Sequence, residues 1–142
     1  MSKINVVYWS GTGNTQKMAE AVAEGIKEAG GEAESVFVSG ADVSALAESD
    51  CFALGCPSMG TEELEEAEFE PFMSELEGSI SGKKIALFGS YGWGNCEWMR
   101  DWEERIQKAG ATVVNGEGVT VNGEPDDDTI DELKRLGKAL VG

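Results

Sequence analysis

The chain has no histidine among its 142 residues, so neither a Ser–His–Asp triad, a Cys–His pair nor a histidine metal site can be built from it. Cysteine is scarce. Cys51, Cys56 and Cys96 form no CxxC pair and leave an odd count, which argues against a disulfide framework and against a zinc or iron–sulfur site. Basic residues number 11 against 27 acidic ones, for a formal net charge of −16. Such a surface repels nucleic acid and anionic membranes and steers the chain towards proteins with basic docking faces; solubility alone is the plainer explanation. No stretch reads as a membrane span, and the opening MSKINVVYWS does not read as a leader. The expected location is the cytosol. Hydrophobic residues make up 41% of the chain, enough for a folded core, and the length fits one domain over residues 1–142.

What is present alternates between two periods. Residues 4–9 (INVVYW) form a β-branched apolar run broken only by Asn5, as a strand buried on both faces requires. Residues 14–29 place Met18, Val22, Ile26 and Ala29 on one helical face, and Gly30-Gly31 stops the helix. A second strand is expected over 33–38, a short helical piece over 42–47, a third strand over 51–56 (CFALGC) and a helix within 63–76. A fourth strand over 84–90 precedes a helix over 97–109 that Gly110 ends. Residues 111–121 read as an interrupted fifth strand, with Gly116 and Gly118 marking a bulge or bend. The last helix begins near Pro125, where Asp126, Asp127 and Asp128 complement the positive end of its dipole. Its inner face carries Ile130, Leu133, Leu136 and Leu140. Strands alternating with helices define an α/β doubly wound domain with a parallel sheet.

The first strand runs directly into Ser10-Gly11-Thr12-Gly13-Asn14-Thr15 and then a helix. Two glycines let backbone N–H groups wrap an anion, Ser10, Thr12 and Thr15 add hydroxyls, and the helix N-terminus adds partial positive charge. Two better-known phosphate loops fail here. A Walker A loop needs Gly-Lys-Ser/Thr, and no lysine precedes Lys17; a dinucleotide fingerprint wants glycine where Gln16 stands. A Gly-rich turn with a capping hydroxyl is the simpler alternative, and the flanking strand and helix weigh against it.

The run Tyr8-Trp9-Ser10-Gly11-Thr12-Gly13-Asn14-Thr15 resembles the FMN-phosphate loop of the short-chain flavodoxins of anaerobic bacteria. Two further stretches resemble that family's flavin-clasping loops: Gly55-Cys56-Pro57-Ser58-Met59-Gly60-Thr61-Glu62-Glu63, and Gly89-Ser90-Tyr91-Gly92-Trp93-Gly94-Asn95-Cys96. Glu68-Phe69-Glu70-Pro71-Phe72 matches as well, so the likeness runs from Ile4 to about Gly110. It implies a flavodoxin-like five-stranded sheet of order 2-1-3-4-5, helices on both faces, and FMN at the carboxyl ends of the strands.

The resemblance also assigns roles. Trp93, between Gly92 and Gly94, becomes the outer ring-stacking residue and Met59 the inner one; an exposed surface aromatic and ordinary core filling are the alternatives. Gly60 supplies a carbonyl acceptor for N5–H of a neutral semiquinone, glycine permitting the peptide to rotate at low steric cost, with Thr61 beside it. Glu62 accepts from flavin N3–H; a carboxylate serving a helix start is its alternative. Ser58, Ser90 and Asn14 are polar contacts to phosphate or ribityl, and Tyr91 belongs to the ring-side loop. Trp9, Trp98, Trp102 and Cys56 read as packing residues. The implied function is a low-potential one-electron carrier replacing ferredoxin, monomeric and without substrate turnover of its own. Its expected partners are basic-faced reductases, dehydrogenases and low-potential acceptors docking at the flavin edge. A catalytic flavoenzyme on the same fold, and a receiver domain needing acidic residues where Tyr8-Trp9-Ser10 stands, are the competing readings.

Overall fold

The computed structural model describes residues 3–59 and 62–141. Strand β1 (Lys3–Tyr8) leads into helix α1 (Asn14–Glu28), then β2 (Glu32–Phe37), the short helix α2 (Val43–Ala47) and β3 (Cys51–Gly55). Helix α3 (Phe69–Leu76), β4 (Lys84–Tyr91), α4 (Glu97–Lys108), two short strands β5 (Thr112–Val113) and β6 (Val119–Asn122), and α5 (Asp127–Val141) complete the order. All strand pairs are parallel, and the order is β2-β1-β3-β4-β5, with β6 also on β4.

Alternation along each strand decides which helix meets it. Val7, Phe52, Leu54, Ile85 and Leu87 face α2, α3 and α4, where Phe69, Met73, Trp98, Trp102 and Ile106 complete one core. Val6, Ala53, Ala86 and Phe88 face the other side, against Met18, Val22 and Ile26 of α1 and Leu133, Leu136 and Leu140 of α5. On that side α1 and α5 cross closely. A Cβ at Gly25 would strike the Lys134 carbonyl, and one at Gly137 the Val22 carbonyl. On the opposite side Arg105 of α4 grips α3, donating to Glu70 at 2.7 and 2.9 Å and to Glu77 at 3.0 and 3.1 Å.

Three details differ from the sequence reading. Ala29 is the C-cap of α1 and is exposed, since the helix ends before another inward turn. Ile130 is only half-buried. The helix lies within the expected 63–76, and it starts only at Phe69 because the Glu65 carboxylate occupies the N–H groups of residues 67–69. The fifth strand is two strands, since eight-residue β4 pairs β5 at its beginning and β6 at its end. Of the expected bulge or bend, the chain takes the bend, a full turn with Asn115 at φ 63° and Gly116 at φ 81°. Glu103 of α4 holds that detour by accepting the Gly118 N–H at 2.6 Å.

Candidate functional site

At the carboxyl end of β1 the chain turns through residues 10–13 into α1. The loop shapes itself: Ser10 Oγ accepts the Gly13 N–H at 3.0 Å, and Thr12 Oγ1 accepts the Asn14 N–H at 3.5 Å. Gly13, at φ 97°, is the N-cap and offers no capping side chain. The first-turn N–H groups of α1 lack intrahelical acceptors and carry the positive end of its dipole, and no acidic residue competes in that turn. The lysine that follows in sequence, Lys17, is held at 2.6 Å by Glu124. An anion would be bound here by dipoles.

Two other strand ends converge on this loop. After β3, Ser58 donates its N–H to the Ser90 carbonyl at 3.0 Å, joining the third-strand loop to β4. After β6, Gly123 donates to the Tyr91 carbonyl at 2.8 Å and accepts the Ser90 hydroxyl at 2.6 Å. Together they enclose a cavity of about 280 Å³, near the lower limit of small-ligand sites. Gly11, Thr12, Asn14 and Thr15 line its anion end; Ser58, Met59, Ser90, Tyr91 and Gly92 line the rest. Ser10 and Gly13 shape the loop from outside that lining. A larger hollow, about 490 Å³, opens at the opposite end of the sheet near Ile4, Cys51 and Leu140, away from the strand carboxyl ends where doubly wound sheets bind ligands.

The side chains differ in how far they are committed. Ser90 has spent its proton on Gly123. Among the described residues the buried Ser58 Oγ has no hydrogen-bond partner, a state that costs about 1–3 kcal/mol and that a ligand's polar group would relieve. Among the described residues, Met59 and Trp93 are the large hydrophobic side chains left open, at 39% and 59% exposure; Trp93 stands on the fourth-strand loop beside the cavity's Gly92 and is not itself in the lining. The Tyr91 phenol is raised above its ordinary pKa, first by its hydrogen bond with the Cys96 sulfur, and its ring packs on Trp98 with centroids 5.7 Å apart.

The Glu62 carboxylate serves a helix start. Its Oε1 accepts the Glu97 N–H at 2.8 Å, and its carboxylate lies where a Cβ on Gly94 would collide. The cause is local: Cys96, the N-cap of α4, makes no side-chain cap bond, so the dipole and free N–H groups of α4 attract the nearest carboxylate. Gly94, at φ 92°, provides room for that crossing. Gly60 and Thr61 lie outside the described residues.

Sequence reasoning passed over three lining residues: Trp9, Pro57 and Gly123. Trp9 does pack against the α3–α4 core, as expected, yet it also walls the cavity and points Nε1 to Glu68 at 3.4 Å. Gly123 belongs to an Asn-Gly turn signal whose distance from the other loops only the sheet order removes. Trp98 and Trp102 are buried packing residues, both 1% exposed, as is Cys56 at 0%.

A switch-point cavity with a cation-free anion cradle and open apolar side chains at its rim defines a nucleotide-cofactor protein of the doubly wound α/β class. Comparison with known proteins makes this specific. The flavodoxin family model matches residues 6–137. The chain is 52% identical over 138 residues to the flavodoxin of Clostridium beijerinckii, covering 97% of this chain and 99% of that one. It is 47% identical to the Megasphaera elsdenii flavodoxin, covering 97% and 98%. The solution structure of two-electron reduced Megasphaera elsdenii flavodoxin superposes with a TM-score of 0.87 at 45% identity, over 97% of this chain and 98% of that one. The chain therefore belongs to the flavodoxin family, and its cofactor is FMN. Flavodoxin-type sheets are themselves among the examples behind the switch-point rule, so the cavity's position is not independent support. The orphaned Ser58 hydroxyl and the cation-free cradle are, and both fit a phosphorylated, hydroxyl-bearing flavin.

Proposed function

We propose that this flavin-binding electron carrier is a low-potential one-electron shuttle, a single domain over residues 1–142 holding FMN non-covalently and standing in for ferredoxin between redox enzymes. The observation that carries the reading is the pairing of an anion cradle without a cation and an open indole, Trp93, on an acidic molecule of net charge −16. When bound, FMN supplies the redox chemistry; the chain's residues bind and tune it. Ser10, Gly11, Thr12, Gly13, Asn14 and Thr15 hold the phosphate, and Ser58 and Ser90 meet the ribityl hydroxyls. Met59, Tyr91, Gly92, Trp93 and Gly94 enclose the ring. Glu62 has two oxygens, and in this reading one stays on the Glu97 N–H while the other serves N3–H.

Gly60, with Thr61 beside it, offers its carbonyl to the N5 proton of the neutral semiquinone. One such bond contributes on the order of 1 kcal/mol, a several-fold change in population. The surrounding carboxylates and the lack of a local cation disfavour further negative charge on the ring, so the second electron enters only at low potential. The protein acts as a cytoplasmic monomer without substrate turnover, docking transiently through its acidic flavin edge on basic-faced reductases, dehydrogenases and low-potential acceptors. No helix among the described residues is long and apolar enough to cross a membrane. A spectroelectrochemical titration of the FMN-loaded protein tests this: a blue semiquinone should accumulate, and Gly60→Ala should diminish it. Steady-state quinone or NAD(P)H reduction by the isolated protein would instead indicate a catalytic flavoenzyme.

A further inference from the structure

Resting on that reading, we propose that Glu65 and Cys56 are positioning residues: they lock the base of the loop between β3 and α3, so that FMN meets a pre-shaped clasp whose response to redox state is confined to its tip. Cys56 is fixed on three sides. Its N–H donates to the Phe88 carbonyl at 3.1 Å, its carbonyl accepts the Trp98 Nε1 proton at 3.1 Å, and its sulfur accepts the Glu65 N–H at 3.3 Å. That last contact joins residues nine apart and closes the loop at its root. Higher up, Met59 and Glu63 exchange two main-chain hydrogen bonds of 2.8 Å and form a neck. In the sequence, Gly60 and Thr61, to which the redox-dependent change is assigned above, fall between Met59 and Glu63.

Below the root, the Glu65 side chain reaches forward. Oε2 accepts the Ala67 N–H at 2.9 Å, and Oε1 accepts those of Glu68 and Phe69 at 2.7 and 2.9 Å. The residue is only 7% exposed. Burial pushes its carboxyl pKa up, but the bonds from Phe69, Glu68 and Ala67 together outweigh burial and hold it below the ordinary value. Capping alone does not require this. Glu68 occupies the N-cap of α3 and makes no side-chain cap bond, and a side chain there would serve the second and third helical residues, not the Ala67, Glu68 and Phe69 N–H groups that Glu65 holds. The carboxylate sits instead where any swing of the loop breaks charge-assisted bonds to the helix start. A loop ordered before the ligand arrives loses little freedom on binding, and a fixed base passes the difference between oxidation states to the tip.

The test compares wild-type protein with Glu65→Gln and Cys56→Ala, measuring dissociation constants for oxidised and for two-electron-reduced FMN alongside the thermal midpoint of each protein. Both variants should weaken FMN binding unequally in the two oxidation states. The ratio of the two constants should move about tenfold from wild type, equivalent to about 30 mV for a two-electron couple. A ratio equal to that of wild type in both variants, with only the thermal midpoint lowered, would reduce Glu65 to a helix cap and overturn the proposal. A wild-type chain that takes both electrons in one step would sink the carrier reading above while leaving this ratio fully measurable.

Discussion

At the scale of single residues, paired side chains with unlike partners give the sharpest tests. Trp98 and Trp102 are equally buried, but among the described residues only Trp98 has an acceptor for its indole N–H, the Cys56 carbonyl. Replacing either by Phe removes similar packing. Trp98→Phe also removes a satisfied bond at the root of the ring-side loop, whereas Trp102→Phe removes an unsatisfied donor. Urea denaturation should show Trp98→Phe to be the less stable variant by about 1–3 kcal/mol. Ser58 offers a test in which two signs oppose. Ser58→Ala removes the orphaned hydroxyl, so the FMN-free protein should be as stable as wild type or slightly more so, while FMN binding weakens several-fold, about 1 kcal/mol. Thermal melts of the FMN-free protein and a fluorescence titration with FMN measure the two halves.

At the scale of elements, helix crossings and helix starts matter most. Gly25 and Gly137 sit inside helices, where alanine is ordinarily favoured by about 1 kcal/mol. Here each added Cβ would strike the facing helix backbone, and overpacking of that kind costs about 1–3 kcal/mol or more. Gly137→Ala should therefore lower the denaturation midpoint despite its better propensity. The start of α3 carries a pH signature. Because the folded pKa of Glu65 lies below the ordinary value of a glutamate, its stabilisation is fully present above that ordinary value and is lost as pH falls through the lower folded pKa. The difference in thermal midpoint between wild type and Glu65→Gln should be constant above about pH 5.5, a unit above the unfolded pKa, and shrink towards zero in more acidic buffer. A difference that persists unchanged at pH 2 would mean that the charge on Glu65 contributes nothing.

At the scale of the whole molecule, the acidic excess sets the behaviour. Cations are largely committed: Lys17 to Glu124, Lys108 to Glu104, Lys134 and Lys138 to Glu28, and Arg105 to Glu70 and Glu77. Lys83 is drawn to the Ala47 and Ser49 carbonyls and Lys84 to that of Ala139. The remaining carboxylates repel one another through solvent, and salt at about 0.15 M shortens that repulsion to about 8 Å. Raising ionic strength from low to physiological values should raise the thermal midpoint and slow electron transfer to a basic-faced partner in stopped-flow mixing. An unchanged transfer rate would detach the charge from partner docking.

The alternation of β-branched runs with amphipathic helices was enough to specify the doubly wound sheet, since period alone determines which face of each element is apolar. The loop over residues 10–15 was legible for a related reason: glycines and hydroxyls at a strand-to-helix junction have few other uses. Contacts between distant segments were not legible. The Glu62 carboxylate on α4, the reach of Glu65 to α3, the Gly123 turn on β4, the division between β5 and β6 and the dual position of Trp9 depend on which strand lies beside which. Local pattern encodes a residue's face and conformation, but hydrogen bonds between segments tens of residues apart exist only after the sheet has ordered its strands.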